Sequence, residues 1–318
     1  MYKLHLEKSY VPAQTDAEIL EITVGGLLRE IANNHPDSIA VVDVTEDGVC
    51  GQSWTYSDLL HRAESLASVL ASRFEPRERI VVWAPNIPEW VFMEYAAGLA
   101  GLVLVTANPS FQSAELKYIL EQSRAVSLFL IDEFRGNPMR AIAQEAIRGN
   151  TLLREVINFE NKDALYAIGS RSPILPKVFP DDPAQIQYTS GTTGFPKGTI
   201  LSHKSLVNNA RLFCGRKQVG PHSVWANFMP LFHTAGCATG TLGCLQAACT
   251  MLLIKRFDAD IFSRLIEEHK VTTCFAVPTM LFNLLESLER HPRDMSSLEV
   301  ITTGGAPVPP DLVRRVRD

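Results

Sequence analysis

Short apolar runs alternate with helix-like segments along this chain, and this alternation limits the folds that it can adopt. Residues 80–84, 102–105 and 126–131 are apolar runs of the length expected for buried strands. Residues 89–100 and 114–121 lie between them and are predicted helices. Strands joined through helices run parallel and are usually buried on both faces. The sequence therefore predicts an α/β fold built on mostly parallel sheets.

Two signals predict helix ends in the same half of the chain. Thr55 and Asp58 have the spacing of a capping box, in which each side chain bonds the other residue's backbone N–H. Apolar residues then recur at helical spacing, at Leu59, Ala63, Leu66, Ala67 and Leu70. Gly101 follows the predicted helix 89–100, in the position where glycine commonly ends a helix.

The alternation returns in the second half of the chain after a proline-rich interval. Residues 168–183 contain four prolines and little periodicity, which indicates a connector. The predicted strands beyond it are 224–228, 250–254, 272–275 and 299–302, with helices that include 260–268 and 279–288. At about 150 residues per domain, the length of 318 also suggests two units. We therefore expect two α/β lobes, residues 1–175 and 176–318, the second carrying the glycine-rich loop described below.

An uncharged run at residues 235–254 permits two interpretations. Its length is that of a membrane-spanning helix. It also contains several glycines and threonines, and its last five residues favour a strand. We therefore predict a buried helix followed by a buried strand, and the run leaves open a peripheral contact with a membrane.

Composition excludes some classes of protein. The net charge of −5 argues against a nucleic-acid partner, which normally selects a basic patch. The six cysteines include no C-x-x-C pair, and no secretory signal begins the chain, so a disulfide framework is not expected. We expect a cytoplasmic protein; the sequence gives no indication of its oligomeric state.

The strongest local signal is a loop rich in glycine and hydroxyl groups. Its sequence is Tyr188-Thr189-Ser190-Gly191-Thr192-Thr193-Gly194-Phe195-Pro196-Lys197-Gly198. Glycines allow backbone N–H groups to turn toward an anion, and a lysine adds a charge suited to phosphate oxygens. The alternative is an exposed Gly/Thr-rich turn, which would seldom combine so many hydroxyls, glycines and a lysine.

This loop does not have the features of a P-loop. Pro196 stands where the second glycine is required, and Gly198 stands where a Ser or Thr would bind Mg²⁺. A strand-like run, 199–201, follows, whereas a P-loop opens into a helix. Because a second strand-like run, 186–188, precedes the loop, we predict a hairpin loop that can close over a triphosphate.

Five segments in order resemble the adenylate-forming superfamily, which includes acyl- and aryl-CoA synthetases, firefly luciferase and adenylation domains of nonribosomal peptide synthetases. The loop is similar to the signature of that family. The others are 84–90 (APNIPEW), 106–109 (TANP), 229–236 (MPLFHTAG) and 303–307 (TGGAP). The resemblance extends from about residue 23 to the chain end. It implies a large N-terminal domain of an adenylate-forming enzyme with two βα lobes.

The resemblance also implies a reaction and its ligands. A carboxylic acid would attack the α-phosphate of ATP, with Mg²⁺, to give acyl-AMP, and coenzyme A would then take the acyl group. The implied phosphate-binding residues are Thr189, Ser190, Gly191, Thr192, Thr193, Gly194 and Lys197. The implied residues beside the adenine and the acyl group are Gly304, Gly305, Ala306 and Pro307. An ordinary strand-to-helix turn is the alternative for this last segment.

His233 and Thr193 are the candidate catalytic residues implied by the resemblance. His233 would lie near the reacting carboxylate, although a lone histidine is often only a packed residue. The predicted substrate pocket contains His233, Gly236, Cys237 and Gly240. The small residues Gly236, Ala238, Gly240 and Gly243 would give either close helix packing or room for an elongated acyl chain. Because no Arg or Lys is an obvious partner for a second substrate charge, we expect an apolar acid.

The end of the chain suggests that part of the enzyme is missing. A predicted helix begins at residues 309–316, and the chain stops inside it. The resemblance puts the Mg²⁺ carboxylate, a ribose-binding Asp and a catalytic Lys beyond Asp318, so we predict no metal ligand here. We expect a truncated chain that binds nucleotide weakly and is nearly inactive. Alternatives are an enzyme that loads a carrier protein, a non-catalytic nucleotide-binding protein and a membrane protein.

Overall fold

Two six-stranded sheets and the helices around them form the structure, a computed structural model that describes residues 18–171, 173–189 and 196–317. The strands are β1 (Ile39–Val44), β2 (Cys50–Thr55), β3 (Arg79–Trp83), β4 (Val103–Thr106), β5 (Ser127–Leu130), β6 (Glu155–Asn158), β7 (Pro183–Thr189), β8 (Lys197–Ser202), β9 (Val224–Asn227), β10 (Thr250–Ile254), β11 (Thr273–Ala276) and β12 (Val300–Thr303).

The helices lie between and beside these strands. They are α1 (Val24–Asn34), α2 (Tyr56–Arg73), α3 (Pro88–Leu99), α4 (Ser113–Ser123), α5 (Met139–Ala146), α6 (Lys162–Leu165), α7 (His203–Gly215), α8 (Leu242–Ala247), α9 (Ala259–His269), α10 (Pro278–Arg290) and α11 (Pro310–Arg317). A π-helix (Ala235–Thr241) leads directly into α8.

Both sheets are mostly parallel, which confirms the predicted fold class. The first sheet has the order β6-β5-β3-β4-β7-β8, and only β8 runs antiparallel to its neighbour. The second has the order β12-β11-β9-β10-β1-β2, and only β2 is antiparallel. Val81, Val82 and Trp83 of β3 have no exposed surface. A central parallel strand is buried in this way when helices cover both faces of its sheet.

The two sheets do not divide at residue 175, where the predicted lobes met. β1 and β2 belong to the second sheet, because β1 pairs with β10 in parallel register, Val41 opposite Met251. β7 and β8 belong to the first sheet, because β7 pairs with β4. The β7–β8 hairpin, which carries the glycine-rich loop, therefore extends the first sheet, whose other strands come from the first half of the chain. Each half of the chain supplies strands to both sheets.

The local sequence signals at helix ends and in the uncharged run correctly predicted the structure of these segments. Thr55 Oγ1 accepts the Asp58 N–H at 3.1 Å, and Asp58 Oδ2 accepts the Thr55 N–H at 3.0 Å, so the capping box is present. Gly101 has φ +67° just beyond α3. The run 235–254 forms the π-helix, α8 and β10, as the helix-then-strand interpretation required. Among the described helices, none is long and apolar enough to cross a membrane.

Asn86 connects the two sheets. This residue follows β3 of the first sheet and is 4% exposed. Its Nδ2 donates to the carbonyls of Met229 and Ile254, both at 3.0 Å, and its Oδ1 accepts the Leu231 N–H at 2.9 Å. Met229 and Leu231 follow β9 of the second sheet, and Ile254 is the last residue of β10. One side chain thereby fixes the segment 229–231 against the end of β3, an arrangement called the Asn86 clamp below.

Replacing Asn86 by alanine should destabilise the protein by about 2–4 kcal/mol, because two buried carbonyls and one buried N–H would lose their partner. Urea unfolding followed by far-UV circular dichroism would measure the loss. Asn161→Ala is the matched control, since Asn161 is exposed and caps the short α6. Loss of such a cap typically costs about 1 kcal/mol. Equal losses in the two variants would contradict a clamping role.

Candidate functional site

A cleft of about 450 Å³ opens where the carboxyl ends of strands from both sheets meet. The residues on its wall follow β3, β4 and β5 of the first sheet or β9, β10 and β11 of the second. They are Pro85, Asn86, Asn108, Pro109, Ser110, Phe134, Arg135, Phe228, Pro230, Phe232, Lys255, Arg256, Phe257 and Met280. Ligands of open α/β sheets bind outside the carboxyl ends of the strands. This cleft is therefore the best-supported ligand site in the described part of the chain.

The cleft combines an apolar wall with positive charge. Phe228 and Phe257 pack edge to face, with 5.0 Å between ring centroids. Lys255 Nζ lies 2.8 Å from a carboxylate oxygen of Glu46. Arg135 and Arg256 are exposed, and neither forms an ion pair with a described carboxylate. Such a surface suits a ligand with an apolar part and several negative charges.

The sequence patterns did not identify Lys255, Arg135 and Arg256 as cationic partners for a substrate. Lys255 and Arg256 come directly after the predicted strand 250–254, and Arg135 comes shortly after the predicted strand 126–131. Because the carboxyl ends of parallel strands share an edge, cations placed just after such strands were the available signal.

The hairpin predicted around the glycine-rich loop is present. β7 and β8 pair antiparallel, and Thr189 opposite Lys197 is the last described pair before the loop. The Tyr118 hydroxyl donates to the Pro196 carbonyl at 2.9 Å, which fixes this end of the hairpin to α4. Since a strand follows the loop, the absence of P-loop topology is confirmed. Ser190, Gly191, Thr192, Thr193 and Gly194 lie outside the described residues, so their roles stay predictions.

His233 is exposed and holds the start of the π-helix. Its Nδ1 accepts the Ala235 N–H at 3.1 Å. Its carbonyl accepts the N–H groups of Gly236 and Cys237 at 2.9 and 3.1 Å. Because Nδ1 accepts a hydrogen bond, the neutral ring carries its hydrogen on Nε2. Nε2 is therefore the nitrogen available to a substrate, and the part of His233 in catalysis stays a prediction.

The small residues of the π-helix are explained by close packing. A Cβ at Gly236 would lie 2.2 Å from the Pro230 carbonyl oxygen, and a Cβ at Gly240 would lie 2.4 Å from Nδ2 of Asn227. Cys237 has no exposed surface. There is no open space beside these residues for an acyl chain. Of the two interpretations of the glycine stripe, the geometry favours helix packing.

The segment Gly304–Pro307 has a different character. It follows β12, and a Cβ at Gly304 would meet no atom within 4 Å. Gly305 has φ +81°, a conformation that favours glycine. Ala306 and Pro307 are exposed. Packing therefore does not require glycine at position 304, and the space beside it is open to a ligand.

The predicted site residues share one structural position but do not line the cleft. Thr189 is the last residue of β7, and His233 and Gly304 follow the carboxyl ends of β9 and β12. The cleft wall includes neither these residues nor Lys197, although it does include the neighbouring Phe232. The site therefore comprises the cleft and three segments at the carboxyl ends of strands.

Gly236→Ala and Gly304→Ala should differ in their effect on stability. The first places a methyl group against the Pro230 carbonyl and should destabilise the protein by about 1–3 kcal/mol. The second adds a methyl group to open space and should change the free energy of unfolding by no more than about 1 kcal/mol. Chemical denaturation of both variants would measure this. If Gly236→Ala were as stable as the parent, close packing would not explain the glycine.

Comparison with known proteins relates this architecture to a family. Medium-chain acyl-CoA ligase ACSF2, mitochondrial, of Homo sapiens is 29% identical over 97% of this chain and 55% of its own length. The corresponding values for acyl-CoA ligase SID4 of Ajellomyces capsulatus are 29%, 96% and 55%. The chain thus spans just over half the length of these curated relatives.

Solved structures agree with this relationship. The inhibitor-bound N-terminal domain of FACL13 from Mycobacterium tuberculosis superimposes with a TM-score of 0.81 at 26% identity, over 94% of this chain and 73% of that one. The model of the AMP-binding enzyme family matches residues 28–318. The chain therefore belongs to the family of AMP-binding enzymes.

Proposed function

We propose that this chain is the nucleotide- and acid-binding part of a ligase that activates an apolar carboxylic acid with ATP and transfers it to coenzyme A. The observation that carries the proposal is the common position of the five family-like segments. Segments 84–90, 106–109, 229–236 and 303–307 directly follow or overlap the ends of β3, β4, β9 and β12, and the loop follows β7. Segments distant in sequence thereby share the edges at which α/β proteins bind ligands.

The proposed reaction has two steps. A carboxylate oxygen of the acid attacks the α-phosphorus of ATP, the bond to pyrophosphate breaks, and acyl-AMP forms. The thiol of coenzyme A then loses its proton and attacks the acyl carbonyl carbon, and AMP leaves. Thr189 and Lys197, with the loop between them, would hold the departing phosphates. His233 would meet the carboxylate through Nε2, and Gly304 to Pro307 would lie beside the adenine.

Magnesium receives no ligand in this proposal. Within the described ranges, no three His, Cys, Asp or Glu side chains lie close enough together to hold a metal ion. Bound Mg²⁺ would neutralise charge on the phosphates. This chain's own contribution would be to position the phosphates with the backbone and charge of its hairpin. We infer that the 318 residues alone bind nucleotide weakly and turn over very slowly.

The cleft is the proposed site of the phosphate-bearing end of coenzyme A. Arg135 and Arg256 are exposed in this cleft, and aromatic walls flank them. Coenzyme A carries several phosphates and an adenine ring, which suit this combination of charge and aromatic surface.

The proposed acid is a fatty acid, with a medium chain as the first candidate. This follows the printed names of the relatives, medium-chain acyl-CoA ligase for ACSF2 and fatty acyl CoA synthetase for a Mycobacterium tuberculosis structure with TM-score 0.80 and 25% identity. An enzyme that loads a carrier protein is the second candidate, and it would release no free acyl-CoA. A non-catalytic nucleotide-binding protein would catalyse no exchange.

ATP–pyrophosphate exchange with a panel of fatty and aryl acids tests the ligase. The protein extended to the length of its relatives should exchange with at least one acid, and the 318-residue chain should exchange at least about 100-fold more slowly. Absence of exchange by the extended protein with every acid would reject the ligase. Exchange by the 318 residues at the full rate would reject the inactivity.

Lys197→Ala should lower the exchange rate of the extended protein at least about tenfold, because a charge-assisted contact to phosphate would be lost. Lys270→Ala is the matched control, since Lys270 is exposed and paired with Asp294 at 3.4 Å. Titration with ATP would show whether Lys197→Ala also weakens binding. Equal activity in both variants would show that the hairpin lysine does not hold the nucleotide.

Arg135→Ala and Arg256→Ala should each raise the KM for coenzyme A about tenfold in the thioester-forming reaction, because a phosphate would lose its partner. Both variants should keep the parent rate of ATP–pyrophosphate exchange, which needs no coenzyme A. Arg148→Ala, an exposed arginine outside the cleft, controls for loss of surface charge. An unchanged KM in both variants would remove coenzyme A from the cleft.

A further inference from the structure

Five polar side chains are buried together between the first sheet and the π-helix. They are Glu94 of α3, Thr106 of β4, Gln185 and Gln187 of β7, and Cys237 of the π-helix, and they are called the buried polar cluster here. Each is less than a tenth exposed. Buried polar groups are costly unless they bond one another, so a group of five in an apolar layer requires an explanation.

The buried polar cluster is connected by a chain of hydrogen bonds. Gln185 Nε2 donates to Glu94 Oε1 at 2.6 Å, and Gln187 Nε2 donates to Gln185 Oε1 at 3.1 Å. Gln187 Nε2 also lies 3.2 Å from the Cys237 sulfur, and the Thr106 hydroxyl donates to Gln187 Oε1 at 3.3 Å. The chain therefore runs from α3 through β7 to the π-helix.

Two members of this hydrogen-bond chain, Gln187 and Cys237, are close in sequence to the two halves of the proposed site. Gln187 lies two residues before Thr189, the last described residue of the hairpin before its loop. Cys237 donates its backbone N–H to the His233 carbonyl at 3.1 Å. A shift of β7 relative to the π-helix would therefore change the position of Thr189 relative to His233.

Glu94 is the group at which the hydrogen-bond chain begins. Oε2 of its carboxyl has no hydrogen-bond partner among the described residues. Burial raises the pKa of Glu94 to about 8, so the carboxyl is mainly neutral at pH 7. The titratable groups facing it are Tyr95 and Cys237, and burial raises the pKa of both well above their ordinary values. The polar residues facing it from β4 and β7 do not titrate.

Stability alone does not account for a buried carboxyl at this position. An apolar side chain of similar volume would avoid the cost of burying a carboxyl, although it would leave Gln185 Nε2 without its acceptor. Glu94 does provide the acceptor that fixes Gln185, and through it Gln187. Its contribution is thus the orientation of the two glutamines.

We propose that Glu94 is a positioning residue, which fixes the end of β7 relative to the π-helix and thereby sets Thr189 and His233 at their working separation. The inference rests on the proposed ligase function, and it assigns this function a residue outside the site itself. Glu94 touches neither nucleotide nor acid in this proposal. It acts through Gln185, Gln187 and Cys237.

Two variants separate positioning from stability. Glu94→Gln keeps the acceptor in a neutral side chain, whereas Glu94→Met keeps the volume and removes the acceptor. In the extended ligase at pH 7, Glu94→Met should lower kcat for pyrophosphate exchange at least tenfold at a temperature where the variant is still fully folded. Its melting temperature should fall, because Gln185 Nε2 loses its acceptor. Glu94→Gln should retain kcat within about threefold. Full kcat in Glu94→Met, or an equal loss in both variants, would overturn the proposal.

Hydrogen exchange gives a readout that does not need catalysis. In the 318-residue chain, Glu94→Met should exchange at least fivefold faster than the parent in peptides covering 185–189 and 233–239. Peptides covering 259–269 of α9 should be unchanged. Unchanged exchange in both cluster segments would overturn the proposal even if the ligase is active. If the parent ligase were inactive with every acid, the proposed function would fail separately, and hydrogen exchange would decide whether Glu94 fixes the two segments.

The pH dependence supplies a further test. A carboxyl with a raised pKa contributes stability that is complete below its ordinary pKa of about 4.5 and is lost as the pH rises through about 8. The parent should therefore lose stability relative to Glu94→Gln across this interval, which urea unfolding at a series of pH values would measure. Parallel stability profiles in the two proteins would show that Glu94 is not held as a buried carboxyl, and the proposal would be overturned.

Discussion

The structure depends on the three hydrogen bonds of the Asn86 clamp. The two sheets are separate hydrogen-bonded units, and nothing in their internal pairing determines how they face each other. Asn86 follows β3 of one sheet, and its side chain bonds two carbonyls and one N–H at the carboxyl ends of β9 and β10 of the other. All three partners are buried backbone groups. If the sheets shifted apart, these groups would lose the Asn86 amide and be left without a hydrogen bond. The cleft beside this contact is lined by residues from both sheets.

The clamp and the buried polar cluster act at different levels of the same architecture. The clamp relates one sheet to the other and supports the segment that leads to His233. The buried polar cluster links β7 of the first sheet to the π-helix. Close packing at Gly236 and Gly240 holds the π-helix between them. The segments of the proposed site are thus located by buried contacts beneath the surface at which ligands would bind.

The sequence predicted what depends on neighbouring residues. Strand and helix periodicity, the capping box at Thr55 and the hairpin flanking the glycine-rich loop are short-range features, and all are present. The pairing of β1 with β10 was missed, because Val41 and Met251 are 210 residues apart and no local pattern specifies a distant partner. The polar β2 also lacks the alternation that predicts a strand. The glycine stripe was ambiguous, since packing against Pro230 is a tertiary property.

The exchange of strands between the halves of the chain has a consequence for how the protein can be made. β1 leaves the ribosome about 200 residues before β10, the partner that completes its parallel side. Such non-local pairing is slow, because a long loop must close before any stabilising contact forms. During synthesis the edge of β1 that pairs with β10 stays unpaired. The first sheet also stays incomplete until β7 and β8 emerge. Nascent chains of this protein should therefore require protection from edge-to-edge association until β10 has been translated.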